Sequence, residues 1–171
     1  MACPIQLSMA VDCADNVGGV KKLFLAVFPD NNLSYSPTIA SGVITAWAGA
    51  AAKFFTYSVR QGVATGGSNS ESDGKSGATS YTPTFSTQVE GITAAKNVEL
   101  DSVIKNRLLV IVQLQDDTYW LMGYKNGMNA KLETNPGVGM SDFKGYKING
   151  TGAEAFNWYQ VTSALIPTIS A

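Results

Sequence analysis

The stretch from Gly66 to Ser80, GGSNSESDGKSGATS, contains the residues of this chain that most resemble a chemical site. Its Gly74-Lys75-Ser76 triplet resembles part of a phosphate-binding loop. Such a loop needs a glycine five residues before the triplet, so that backbone N–H groups converge on phosphate. That position is Asn69, and the residues after the triplet favour an extended chain instead of a helix. The match to a nucleotide site therefore fails on spacing and on context.

The same stretch also resembles a calcium-binding loop. Asn69, Glu71 and Asp73 match the first three ligand positions, and Gly74 matches the turn. The twelfth position should be a bidentate glutamate but is Ser80, and the flanking segments have the pattern of strands where helices are required. We therefore predict no dedicated metal site.

The composition argues against an enzyme. The 171 residues include no histidine, which removes the usual general base and the commonest metal ligand. Charged residues make up only 15% of the chain and the net charge is −1, so there is no electrostatic case for nucleic acid as a partner. We predict no catalytic residues, no cofactor and no sequence-specific binding of nucleic acid. A chain so poor in charge often covers its surface by self-association.

The remaining polar motifs are typical of turns. Asp12 and Asp15 are separated by two residues, and Asp116-Asp117 is a doublet; acids in Asn- and Gly-rich segments usually form turns. Asn149-Gly150-Thr151 matches a glycosylation pattern but is also predicted to be a turn. Aromatic residues on the predicted strands could stack on sugars or bases, but their alternation favours packing in a core or an interface: Phe54, Phe55, Tyr57, Trp120, Tyr124, Trp158 and Tyr159.

The N-terminal residues bear on the compartment of the protein. The opening MACPIQLSMAVDC lacks the basic start and the continuous apolar run of a secretory signal. Cys3 and Cys13 could close a ten-residue loop, but two reduced thiols in a cytoplasmically assembled protein are the simpler interpretation. No apolar run is long enough to span a bilayer. We therefore expect a soluble protein without a membrane partner.

Hydrophobic periodicity predicts a mainly β domain with one helix. The helix is expected at 94–106, where Leu100, Val103, Ile104 and Leu108 form an apolar stripe. Pro83 predicts an edge or an unpaired position in its strand. The predicted strands are Val20–Phe28, Gly42–Trp47, Lys53–Arg60, Ser80–Glu90, Leu108–Gln115, Thr118–Tyr124, Phe143–Asn149 and Ala155–Thr162. We predict one domain over 1–171, with 1–19 as an N-terminal segment.

The polar stretch then has a mechanical interpretation. Gly, Ser, Asn and Asp cannot bury enough apolar surface to order themselves, which predicts a long mobile loop between two strands. Long loops in compact domains are usually functional or disordered. We predict that residues 61–80 form an extended arm that orders on a neighbouring subunit, and its central residues are Gly66, Gly67, Ser68, Asn69, Ser70, Glu71, Ser72, Asp73, Gly74, Lys75, Ser76 and Gly77.

Three motifs follow one another along the chain: an Asp-Asn-x-Gly-Gly-x-Lys-Lys segment within Val11–Ala26, then Lys53–Tyr57 (KFFTY), then Tyr119–Gly123 (YWLMG). In these motifs, most of residues 11–162 resembles a group of small virion proteins of tailed phages that infect Bacteroides-type bacteria, including the crAss-like phages. The order of elements also resembles the tail-tube fold, a β-sandwich or barrel with one flanking helix. The resemblance implies a structural role in the tail or neck and brings no catalytic residues.

The resemblance implies a homo-oligomeric ring of six or twelve subunits in the virion tail or neck, and the charge-poor composition is compatible with it. The ring would be a tail-tube segment or a head-to-tail connector that stacks on neighbouring rings. DNA would pass through its channel without sequence-specific binding, and assembly would take place in the cytoplasm of the bacterial host. The alternatives are a receptor- or glycan-binding tip protein, a capsid decoration protein, and a carboxylate-based hydrolase.

Overall fold

The computed structural model describes residues 18–29, 36–48, 53–75 and 77–170. The predictions for Cys3, Cys13, Asp12 and Asp15, and for most of the 1–19 segment, lie outside the described residues. No helix within the described ranges combines the length and the apolar character that a membrane crossing requires.

The described chain is mainly β, as predicted. A single helix of three turns, α1 (Ala94–Lys105), lies between the sixth and seventh strands, and the short helix α2 (Ile166–Ile169) follows the last strand. The strands are β1 (Val20–Val27), β2 (Ser36–Ala40), β3 (Val43–Ala48), β4 (Phe55–Ser58), β5 (Thr65–Ser72), β6 (Thr79–Glu90), β7 (Leu108–Leu114), β8 (Tyr119–Met122), β9 (Met128–Asn135), β10 (Gly145–Gly152) and β11 (Tyr159–Val161).

These strands form one open, mixed sheet. Its main path runs β2-β3-β11-β8-β7-β9-β10-β6-β5, and β1 adds to β7 and carries β4 on its other side. All described pairings between named strands are antiparallel except β3–β11. Strands β7 and β9 meet only at the pair Leu108–Met128, so the β9-β10-β6-β5 half joins the rest through a narrow connection.

Strand β7 lies between two hydrophobic clusters. One face contributes Val110 and Val112 to a cluster that also contains Phe85 and Tyr146 from the β6–β10 half and Leu100 from α1. The other face contributes residues to a second cluster with β3, β8 and α2: Leu109, Ile111, Ile44, Leu121, Ile166 and Ile169. The predicted strand Leu108–Gln115 is therefore confirmed to within one residue, and it is buried on both faces.

Helix α1 covers part of the first cluster. Thr93 caps its N-terminus, because the Thr93 side chain accepts a hydrogen bond from the Lys96 N–H at 3.3 Å. Leu100 and Val103 are buried, and Asn106 ends the helix. The predicted range of 94–106 is confirmed to within one residue, although Leu108 of the predicted stripe belongs to β7.

The turn predicted at Asp116-Asp117 is also confirmed. The Asp116 carboxylate accepts hydrogen bonds from the backbone and the hydroxyl of Thr118, and these hold the pKa of Asp116 below its ordinary value. Asp117 adopts a positive φ of 61° and accepts hydrogen bonds from Lys21 at 2.6 Å and Gln113 at 2.8 Å. The side chains of both acids therefore stabilise the β7–β8 hairpin through hydrogen bonds.

Several local predictions are wrong. The loop expected from Gly66 to Ser80 is a strand over Thr65–Ser72, and β6 begins at Thr79. Of the aromatic residues predicted to pack in a core or an interface, Phe55 is 51% exposed and so does not lie in the core of the described chain. The turn expected at Asn149-Gly150-Thr151 lies inside β10. Strands β2 (SPTIA) and β9 (MNAKLETN) were not predicted, although Met128, Ala130 and Leu132 alternate along β9.

Candidate functional site: unpaired strand edges and an adjoining groove

Strand β5 forms one edge of the described sheet. All eight of its residues pair with β6, from Thr65–Ser86 to Ser72–Thr79. The Asp73 N–H donates to the Ala78 carbonyl oxygen at 2.9 Å, which shows that the backbone groups of Asp73 point toward β6. Because successive backbone groups point to opposite sides, the odd-numbered residues bond to β6 and the even-numbered ones point outward. The N–H and C=O groups of Gly66, Ser68, Ser70 and Ser72 therefore face away from the sheet.

The β2 edge differs from the β5 edge. Strand β2 carries Pro37, and its pairing with β3 has an irregularity between Thr38 and Ile39. Proline and bulges are the usual devices that protect a sheet edge from pairing with another chain. Strand β5 has neither device, and its register with β6 is continuous. The β5 edge is therefore long and open to a further strand.

Strand β4 provides another unpaired edge. It pairs with β1 on one side, from Lys22–Ser58 to Leu25–Phe55. On the other side the Phe54 N–H donates to the Ile169 carbonyl oxygen at 2.8 Å, within a parallel bridge between Phe54 and Ser170. The backbone groups of Thr56 and Ser58 point in the same outward direction as those of Phe54. They have no backbone partner among the described residues.

A groove, here called the edge groove, runs beside β4. Two adjoining cavities of about 480 and 60 Å³ share Tyr57. Strand β4 and the residues after it form one wall, and α1 with the end of β6 forms the other. Residues that line the edge groove include Phe55, Tyr57, Arg60, Glu90, Lys96 and Ser102.

The chemistry changes along the edge groove. At one end Arg60 pairs with Glu90, with Nε to Oε1 at 2.5 Å, and the Lys96 ammonium donates to the Glu90 backbone carbonyl. Two cations and one carboxylate leave a net charge of +1 there. Burial, helped by the nearby Glu99 carboxylate, raises the pKa of Tyr57 in the middle. At the other end Phe55 and Val27 are 51% and 55% exposed.

The predicted arm residues occupy the β5–β6 hairpin. Gly66–Ser72 lie in β5, and Asp73, Gly74 and Lys75 form its turn, in which the Lys75 N–H donates to the Asp73 carboxylate at 2.9 Å. Ser76 lies outside the described residues. The part of the chain that the structure describes contains no group of three or more His, Cys, Asp or Glu side chains placed to hold a metal ion.

A shallow hollow forms at the β7–β8 hairpin. It is lined by Trp120 and Trp158 together with Asp116, Thr118 and Asn157, and its volume is about 350 Å³. The Trp120 indole N–H donates to the Thr118 hydroxyl at 3.0 Å. Two indoles beside polar groups form the arrangement in which a sugar ring can stack. Trp120 and Trp158 lie in separate predicted strands, so their proximity was not predicted.

The sequence also gave no signal for Glu154, a buried carboxylate that is only 5% exposed. Its side chain accepts hydrogen bonds from the backbone N–H groups of Lys125 and Asn126, the latter at 2.9 Å. Its own backbone pairs with Tyr81 through two hydrogen bonds of 2.8 Å. Glu154 therefore joins the β8–β9 turn to the start of β6. Burial raises the pKa of this carboxyl, and the backbone hydrogen bonds oppose that effect only in part.

We expect Glu154→Gln to remove one pH dependence of stability. A carboxyl with a raised folded pKa binds its proton more tightly in the folded state, so its ionisation lowers stability as the pH rises from about 4.5 through the folded value. The unfolding free energy of the wild-type chain minus that of the Glu154→Gln variant should therefore decrease over that range. Urea denaturation of both chains at pH values between about 4 and 8 measures it. A value that stays constant or increases with pH would contradict this role.

Comparison with known proteins adds no family. No protein family model, curated protein or solved structure matches this chain.

Proposed function

We propose that this chain is a structural subunit that assembles with copies of itself into a closed ring in the tail or neck of a phage virion. The ring surrounds a channel through which DNA passes without sequence-specific contacts. The observation that carries this proposal is the continuous, unprotected outer edge of β5. A strand edge of this kind is a template for pairing with another chain.

The open sheet supports assembly by a head-to-tail contact. Strands β4 and β5 are different edges of the same sheet, so pairing one edge to the other joins unlike surfaces of two copies. Such a contact repeats from copy to copy and generates a ring where the rotation closes. Closing the edges of all subunits also removes the exposed backbone groups that favour aggregation.

The surface chemistry supports the same proposal. Only 15% of the residues are charged, and several large apolar side chains of the described chain are exposed, among them Val98 at 69% and Phe156 at 50%. A surface of this kind gains from being covered by other subunits. The resemblance of the sequence to virion proteins of tailed phages supports a position in a tail or a neck.

Mass measurement tests the proposal. Mass photometry and analytical ultracentrifugation of the purified chain should give a species of discrete size, an integral multiple of 18.1 kDa, that forms cooperatively as concentration rises. Its mass gives the number of subunits, expected to be six or twelve. A chain that remains monomeric up to the concentrations at which it is soluble would count against self-assembly.

The tryptophan hollow favours a second candidate function, binding of a glycan or receptor. Trp120 and Trp158 share one depression with Asp116 and Asn157. A glycan array followed by titration calorimetry would identify a ligand, and Trp120→Ala should abolish its binding. If no glycan binds and assembly is unaffected in Trp120→Ala, the hollow belongs to packing of the hairpin.

A further inference from the structure

We propose that the edge groove is the acceptor for β5 of a neighbouring copy, which pairs in parallel with β4 and sets Glu71 opposite Arg60. This inference rests on the proposed self-assembly and names its contact surface. It assigns the donor edge to Gly66–Ser72 and the acceptor edge to Thr56 and Ser58.

The backbone groups define the possible registers. On β4 the outward groups belong to Thr56 and Ser58, and on β5 they belong to the even-numbered residues. In a parallel pair, a residue whose backbone groups point to the partner strand bonds to the two neighbours of the residue opposite it. Ser58 can therefore bond to two even-numbered residues of β5, as it does to Ser68 and Ser70 when it lies opposite Asn69. The chain at this edge already has this geometry, because the bridge between Phe54 and Ser170 is parallel.

Charge selects among these registers. With Ser58 opposite Asn69, Glu71 lies opposite Arg60, two residues beyond the end of β4. The cationic end of the edge groove then receives the carboxylate of β5. In the antiparallel registers that pair Ser58 with Ser68 or Ser70, Glu71 falls beside Phe55 or Tyr57 and away from the cations. A charge match across an interface fixes register and favours the correct partner.

Side-chain size fits the same register. The β5 residues on the face of Tyr57 and Phe55 are Gly66, Ser68 and Ser70, whose side chains are absent or small. Small side chains on this face need little space beside β4, where the larger cavity measures about 480 Å³. A strand docked there would cover part of Phe55, which is 51% exposed in the single chain. Main-chain hydrogen bonds supply the affinity in this mode of recognition, and the adjoining side chains supply the specificity.

A mixing experiment tests the pairing of unlike edges. Ser58→Pro blocks the acceptor edge and Ser70→Pro blocks the donor edge, since each removes an outward N–H. Either variant alone should be monomeric at concentrations where the wild-type chain assembles. Mixed in equal amounts, they should form only dimers of twice the 18.1 kDa chain mass, because one intact donor remains for one intact acceptor. Native mass spectrometry resolves these species, and Ser58→Ala and Ser70→Ala are the matched controls.

The outcomes separate this inference from the proposed function. Ser58→Pro could assemble as the wild-type chain does while Ser70→Pro does not. In that case β5 pairs with another surface and the edge groove is not its acceptor, but the proposed ring is still supported. If the wild-type chain does not assemble, the proposed function fails first. Circular dichroism of each variant confirms that it is folded.

A charge exchange provides an independent test that leaves both edges intact. Arg60→Glu and Glu71→Arg should each weaken assembly by about ten-fold or more, measured as the concentration of half-assembly. The double variant should recover to within about three-fold of the wild-type chain, because the pair is restored with reversed sign. Equal losses in the single and double variants would overturn the predicted register.

Discussion

Replacing Ser70 by proline should abolish assembly and leave the subunit folded. The N–H of Ser70 points away from β6, so proline removes no hydrogen bond of the hairpin. The pyrrolidine ring instead occupies the outer edge, where a neighbouring strand must approach. We expect the concentration of half-assembly to rise by about a hundred-fold or more, with a change in unfolding free energy of about 0.5 kcal/mol or less. Mass photometry and thermal denaturation measure the two effects.

Asn69→Pro is the matched control, one residue earlier on the same strand. The N–H of Asn69 points toward Thr82 of β6, so proline there breaks the ladder inside the subunit. This variant should lose about 1–3 kcal/mol of stability, whereas Ser70→Pro should not. If both variants assemble normally, the β5 edge is not an interface, and the main support for the proposed function is lost.

Gly150→Ala should be among the most destabilising single substitutions in the chain. Gly150 pairs with Phe85 across β10 and β6, and a Cβ at position 150 would lie 1.9 Å from a ring carbon of Phe85. The ring is only 3% exposed and is packed in the first hydrophobic cluster, so it has little room to move. We expect a loss of about 3 kcal/mol or more, which lowers Tm by roughly 10 °C in a domain of this size.

A matched control and a second-site change make this prediction specific. A Cβ at Gly74 has no neighbour within 4 Å, so Gly74→Ala should change stability by about 0.5 kcal/mol or less. Phe85→Ala should be costly alone but should cost less in the Gly150→Ala background, with a coupling of about 1–3 kcal/mol. Additive losses in the double variant would show that the clash with Phe85 is not the cause.

The elements that sequence reasoning located are those with strong local patterns. The run LLVIVQL is apolar at nearly every position, which predicts a strand covered on both faces, and β7 is such a strand. Apolar residues at helical spacing, among them Leu100, Val103 and Ile104, predict α1. Asp116-Asp117 between two apolar runs predicts a hairpin turn. In each case the local preference and the tertiary environment agree.

Strand β5 was missed because its stability does not come from its own side chains. TGGSNSES has the composition of a flexible loop, and only the eight-residue ladder with β6 makes it extended. The exposure of Phe55 was not predicted, because alternation gives the face on which a residue lies but not whether other elements cover that face. Glu154 belongs to no sequence pattern, because its partners Lys125 and Asn126 lie almost thirty residues earlier in the chain.

Negative-stain electron microscopy of the purified wild-type chain tests the central claim most directly. The account predicts closed rings of uniform diameter with a central hole, in which class averages show one symmetry. Closed rings would fix the number of subunits and establish that unlike edges meet with a rotation that closes. Particles no larger than a single 18.1 kDa chain, at concentrations where mass photometry should find assembly, would contradict a ring-forming subunit.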